Sequence, residues 1–187
     1  MNKPIIAGIF LIALITGILL MTMKTGAEDE IKDTWIDDEY VALCEEIGAE
    51  YNISPELLVA IIETESSGQQ YADNGNCKGL CQIYAGVHIA RMQKLGLHDI
   101  YNPRTNITLA ADILKENFEQ YGDDLSLVLM AYNGTSHARQ KAEAGQLSDY
   151  AVKVSKRAYD LETLHGKHNY TQYLRNPKLL EWRAKDD

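Results

Sequence analysis

The chain has 187 residues, 45% of them apolar and 24% charged, with a formal net charge of −9. That length and apolar share suffice for one full hydrophobic core. The negative balance argues against the basic stripe that nucleic-acid binding uses, and the sequence carries no Walker loop, Rossmann glycine pattern or His-Glu-x-x-His zinc motif.

At the N-terminus, Lys3 precedes a run, residues 4–23, without a charged side chain. About 20 apolar residues cross a hydrocarbon core about 30 Å thick. The run exceeds an ordinary signal-peptide core, which favours an uncleaved anchor, while Thr25-Gly26-Ala27 offers small residues for a signal peptidase. Residues 1–27 are therefore expected as a transmembrane anchor or signal helix, and the polar, acidic stretch 28–37 as a short exposed linker. The flanking Lys3, Lys24 and Lys32 barely bias orientation.

Helical periodicity then recurs over 38–51, 55–65, 85–95, 105–121, 125–132, 135–144 and 148–161, with almost no strand-like alternation. The expected fold is mainly α, one helical domain over 38–161. Residues 162–187, with Tyr170, Tyr173 and Trp182 in a polar segment, form an extension whose role the sequence does not define. Ile107, Ala110, Ala111, Leu114 and Phe118 follow helical spacing and are expected in the core.

The second helix holds the most informative residue. Ser54 is placed as its N-cap and Pro55 at the first helical position, where a missing N–H is harmless. Leu57, Leu58, Ile61 and Ile62 form an apolar stripe, and Glu65 falls three and four residues beyond Ile62 and Ile61, near the centre of that stripe. Glu63 points to the opposite side and is expected in solvent. A carboxyl group among leucine and isoleucine loses hydration, which raises its pKa toward the range of a general acid. The bland alternative is a last-turn glutamate turned to water, since Ser66-Ser67-Gly68 ends the helix here.

A polar loop follows over 69–78, in which Asp73-Asn74-Gly75-Asn76 is turn chemistry. Of the three cysteines, Cys44 lies among Val41, Leu43 and Ile47 and is expected as a buried thiol. Cys77 and Cys81 bracket Gly79-Leu80; a bridge between them would close a small loop, and a Cys44–Cys81 pairing also stays open. His165 and His168 have the spacing of a metal pair but no third ligand in a recognisable pattern, so they are expected as solvated tail residues. No metal or cofactor is expected.

Glu65-Ser66, Gly79-Leu80-Cys81-Gln82-Ile83, Ala131-Tyr132-Asn133-Gly134 and Tyr150-Ala151-Val152-Lys153-Val154 stand in an order and spacing that resemble the motifs of the soluble lytic transglycosylases. The fold of that family is related to goose-type lysozyme. Asn102-Pro103 and Asn106-Ile107 match its usual lead into the next helix. Cys81 replaces the methionine usual in the family's second block, which keeps a soft apolar side chain.

The resemblance implies a lysozyme-like helical domain with a substrate cleft, acting on peptidoglycan glycan strands. It implies non-hydrolytic cleavage of the bond between N-acetylmuramic acid and N-acetylglucosamine, ending in a 1,6-anhydromuramyl product. Glu65 would first be the acid and then the base. Ser66, Gln82, Tyr132, Asn133 and Tyr150 match positions that contact or position the substrate, with Tyr150 close to the acid. The substrate's location implies an extracytoplasmic domain held to the membrane through the N-terminal helix, or secreted after cleavage. It also implies that the glycosylation-like triplets at Asn106, Asn133 and Asn169 carry no meaning. Two alternatives stay open: a lysozyme-type hydrolase in which Asp73 activates water, and a catalytically silent glycan-binding scaffold in an envelope machine with further protein partners unknown.

Overall fold

The computed structural model describes residues 33–166. The expected anchor, the first part of the linker, and the extension from residue 167 with His168, Asn169 and Trp182 lie outside the described residues.

Among the described residues there are seven helices and one small hairpin. α1 spans Asp38–Tyr51 and α2 Pro55–Glu65, followed by the two-residue strands β1, Cys77–Lys78, and β2, Ile83–Tyr84. Then come α3, Ala85–Lys94, α4, Pro103–Tyr121, α5, Leu125–Tyr132, α6, Ala138–Glu143, and α7, Asp149–Leu164. Side-chain caps set several of these starts. Ser54 Oγ accepts from the Leu57 N–H, Asn102 Oδ1 from Thr105, Asp124 Oδ1 from Leu127 and Ser148 Oγ from Ala151. Pro follows the cap in both α2 and α4.

α2 is the central element. Every residue from Glu56 to Glu63 is buried, enclosed by α1, α4 and α7. Gly48 lets the α1–α2 turn close, because a Cβ there would lie 2.6 Å from the Ile53 carbonyl oxygen. α5 is buried from Leu125 to Met130. On α4, Ile107, Ala110, Ala111 and Leu114 are core and Phe118 packs at its edge, as expected. α3 has no buried residue. The hairpin pairs Cys77 with Tyr84 and Lys78 with Ile83, antiparallel.

Several expectations need correction. Glu63 is not in solvent: it is 5% exposed, and its carboxylate accepts from Arg157 Nε at 2.6 Å, Arg157 Nη2 at 3.0 Å and Thr34 Oγ1 at 2.7 Å. A helix wrapped on both sides has no water-facing stripe, so its polar residue needs a buried partner. The linker is not wholly exposed either, since Ile36 is buried and Thr34 bonds Glu63. α7 runs past residue 161, and Glu162 is buried, accepting from Ser54 Oγ at 2.9 Å. His165 is no solvated tail residue: its ring nitrogens lie 3.0 Å from Glu56 Oε1 and 3.3 Å from Asp33 Oδ1. Those two carboxylates, Glu56 foremost, raise its pKa. All three cysteines are free thiols, with Cys44 and Cys81 buried.

Candidate active site

Glu65 is the last residue of α2, and it opens into a cleft of about 480 Å³. Gln82, Ile83 and Tyr84 of the hairpin, Val87 and His88 of α3, and Tyr132 and Asn133 at the end of α5 line the same cleft. Removal from water raises the Glu65 pKa, opposed by the Tyr150 phenol and the Lys153 ammonium. The carboxyl group is therefore biased toward its protonated form in the cleft wall, as a general acid requires.

Tyr150 sits in the first turn of α7, facing Glu65. Its phenol oxygen is buried and makes no fully formed hydrogen bond, yet it lies close enough to the carboxyl group to hold the Glu65 pKa down against the effect of burial. An otherwise unpartnered buried hydroxyl beside a carboxyl group is poised to orient it.

The second motif is held by contacts from two sides. Asn106, fully buried in the first turn of α4, accepts from the Cys81 N–H at 2.7 Å and donates to the carbonyls of Lys78 at 3.0 Å and Ile100 at 2.8 Å. Tyr132 Oη donates to the Cys81 carbonyl at 2.9 Å. The backbone on which Gln82 sits is thus fixed by both α4 and α5. Gln82 itself takes a left-handed φ of +46° and donates through its amide nitrogen to Ala72 O at 3.1 Å and Gly79 O at 3.0 Å. Its amide oxygen accepts no hydrogen bond among the described residues.

Of the residues expected at the site, Glu65, Gln82, Tyr132 and Asn133 line the cleft and Tyr150 adjoins Glu65. Asn133 is the exposed C-cap of α5. Ser66 does not belong with them: it is 7% exposed, and its hydroxyl donates to Ile62 O at 3.2 Å, the local bond of a residue that ends a helix. Asp73 is absent from the cleft lining. Its carboxylate accepts from Lys78 Nζ at 2.6 Å, the Gly75 N–H at 2.7 Å and Tyr101 Oη at 2.8 Å, which hold its pKa down to about 2.

Sequence reasoning missed several contributors. Tyr84, Val87 and His88 add an apolar and aromatic wall. The other acid of the cleft, Glu116, is paired with Arg91, which also binds Asp112. Asn106 was legible only in part: an amide in the first turn of a helix, next to core Ile107, marks a polar residue that must find buried partners.

A helical domain that presents one desolvated glutamic acid to an open cleft lined with amide and phenol groups is of the lysozyme-like, glycan-cleft class. Residues 42–152 match the transglycosylase SLT domain, and the chain belongs to that family. It is also similar to a protein named transglycosylase from Enterobacteria phage PRD1, with 34% identity over 109 residues. That alignment covers 58% of this chain but only 38% of the phage protein, so the chain spans well under two thirds of that relative's length.

Proposed function

We propose that the domain cleaves peptidoglycan between N-acetylmuramic acid and N-acetylglucosamine without consuming water. Glu65, biased toward its protonated form by burial in the cleft wall, gives its proton to the glycosidic oxygen as that bond breaks. The substrate's own acetamido carbonyl stabilises the developing positive charge at C1. Glu65, now ionised, takes the proton of the C6 hydroxyl as its oxygen closes on C1, which returns the acid to its starting state and releases a 1,6-anhydromuramyl end.

The observation that carries this reading is the isolation of Glu65. Retaining hydrolases use a second carboxylate across the bond, and here the other candidates are committed elsewhere: Asp73 to Lys78 and Tyr101, Glu116 to Arg91, Glu63 to Arg157. The test is the purified chain on peptidoglycan sacculi, with Glu65→Gln as comparator. Soluble muropeptides are expected from the first and almost none from the second. Release by neither, from folded samples, would favour the scaffold alternative.

The length of the uncharged run 4–23 supports a domain tethered to a membrane rather than diffusing, and the location of the proposed substrate supports its outer face. Among the described residues no helix is long and apolar enough to cross a membrane, and the run itself lies outside them. N-terminal sequencing of the mature protein decides it: an intact start supports the tether, and a chain beginning at Glu28 replaces it with a secreted enzyme.

A further inference from the structure

A second groove, of about 580 Å³, opens between the C-terminal end of α2 and the outer face of α7. Trp35 forms one wall, with its side chain 62% exposed. That indole is held in place rather than left to swing, because the Arg157 guanidinium lies 5.3 Å from its ring centroid and is itself clamped by the buried Glu63 carboxylate. A fixed, exposed tryptophan is a preformed binding platform, since little side-chain freedom remains to be lost on contact.

The groove starts beside the reacting centre. Thr64 and Lys153 line it, Thr64 being next to Glu65 and Lys153 close enough to act on the Glu65 carboxyl group. From Asp149 it follows α7 to Arg157, about 12 Å at the helical rise per residue. Lys153 and Lys156 are exposed along that path, and neither has an ion-pair partner among the described residues. Of the carboxylates nearby, Glu63 is bound to Arg157, Asp160 acts on the same guanidinium, and Asp149 sits in the first turn of α7 where the helix dipole favours an anion.

We propose that this groove binds the short acidic peptide carried on the muramic acid at the cleavage point, with its apolar residues against Trp35 and its carboxylates at Lys153 and Lys156. The inference rests on the function proposed above and adds what the domain reads besides the glycan. A neutral sugar would use the indole but leave both ammonium groups unanswered. A peptide of a few residues, extending about 3.3 Å per residue, covers a path of that length along α7. The domain thereby prefers strands that still bear their peptides.

The experiment compares cleavage of peptide-bearing glycan strands with cleavage of the same strands stripped by an amidase, using the full chain in detergent. The wild type is expected to favour the peptide-bearing strands on the order of tenfold. In Trp35→Ala, and independently in Lys156→Glu, that ratio is expected to collapse toward one. A ratio near one in the wild type, or a ratio that neither substitution changes, overturns the peptide site while leaving the proposed function standing. Cleavage of neither substrate overturns the proposed function instead. The groove is then judged by titrating Glu65→Gln with the amidase-released tripeptide and following tryptophan fluorescence against Trp35→Phe. A Trp35-dependent change upholds the site, and its absence, or an equal change with peptide-free chito-oligosaccharide, overturns it.

Discussion

Asn106 and Gly79 approach so closely that a Cβ on Gly79 would lie 2.3 Å from Asn106 Nδ2. Gly79 has a φ of +76°, which a side chain would strain, and it shapes the turn that Asn106 ties down through Lys78 and Cys81. Gly79→Ala must push the amide away and break those bonds. Asn106→Ala removes them directly and leaves the Cys81 N–H without its buried acceptor. Each variant is expected to lose about 2–4 kcal/mol of stability, read by denaturant unfolding. Activity per folded molecule is expected to fall as well, because Gln82 rides on that turn.

The Glu63–Arg157 pair is the second structural test. Glu63→Gln leaves a guanidinium without its buried counter-charge, and such half-pairs cost about 3 kcal/mol at the lower end of the range, as Arg157 is partly exposed. A fall in Tm of roughly 6–12 °C follows for a domain of this size. A Glu63→Gln protein that melts with the wild type would mean that Glu63 is in water after all.

The pH dependence of activity follows from Glu65. Its pKa is raised by burial and restrained by Tyr150. Activity is expected to fall as pH rises through that raised value, because the acid must be protonated to start the reaction. Tyr150→Phe removes a group that lowers the Glu65 pKa, so the alkaline limb of the kcat profile should move to higher pH. At the optimum kcat should drop about tenfold, equivalent to about 1.4 kcal/mol of lost orientation of the acid. An alkaline limb that stays fixed would detach Tyr150 from the acid.

His165 makes stability, like activity, fall as pH rises. Its folded pKa is raised by Glu56 and Asp33, so its contribution is fully present below the unfolded value of about 6.5 and is lost as pH rises through the folded one. His165→Ala should flatten that part of a stability-against-pH curve, measured by urea unfolding. An unchanged slope would show that the ring does not bind those carboxylates in solution.

Much of the fold was legible because local signals agree with the tertiary structure. The Ser54 cap and Pro55 set the start of α2, and Glu65, which apolar spacing singled out, ends that helix and lines the cleft. The same periodicity failed two residues earlier: Glu63 was assigned to water on the assumption that a helix has a wet face, and α2 has almost none. Ser66 sits within a motif, yet its hydroxyl serves the helix end, a local bond that adjacency to Glu65 conceals. Asn106 meets Cys81 across 25 residues of sequence, and no local pattern encodes that contact. The peptide groove depends likewise on Trp35, from the supposed linker, meeting α7 in three dimensions.

The central claim is that Glu65 alone performs the cleavage and that no water enters the product. Digestion of peptidoglycan in ¹⁸O-labelled water, followed by mass analysis of the released muropeptides, tests it most directly. The expected products are 1,6-anhydro ends, lighter by one water than reducing ends and free of label, and Glu65→Gln should lower their yield by about 10²–10⁴-fold. Labelled reducing ends from the wild type would contradict the claim and make the enzyme a hydrolase, in which some second group, not yet identified in the cleft, activates water.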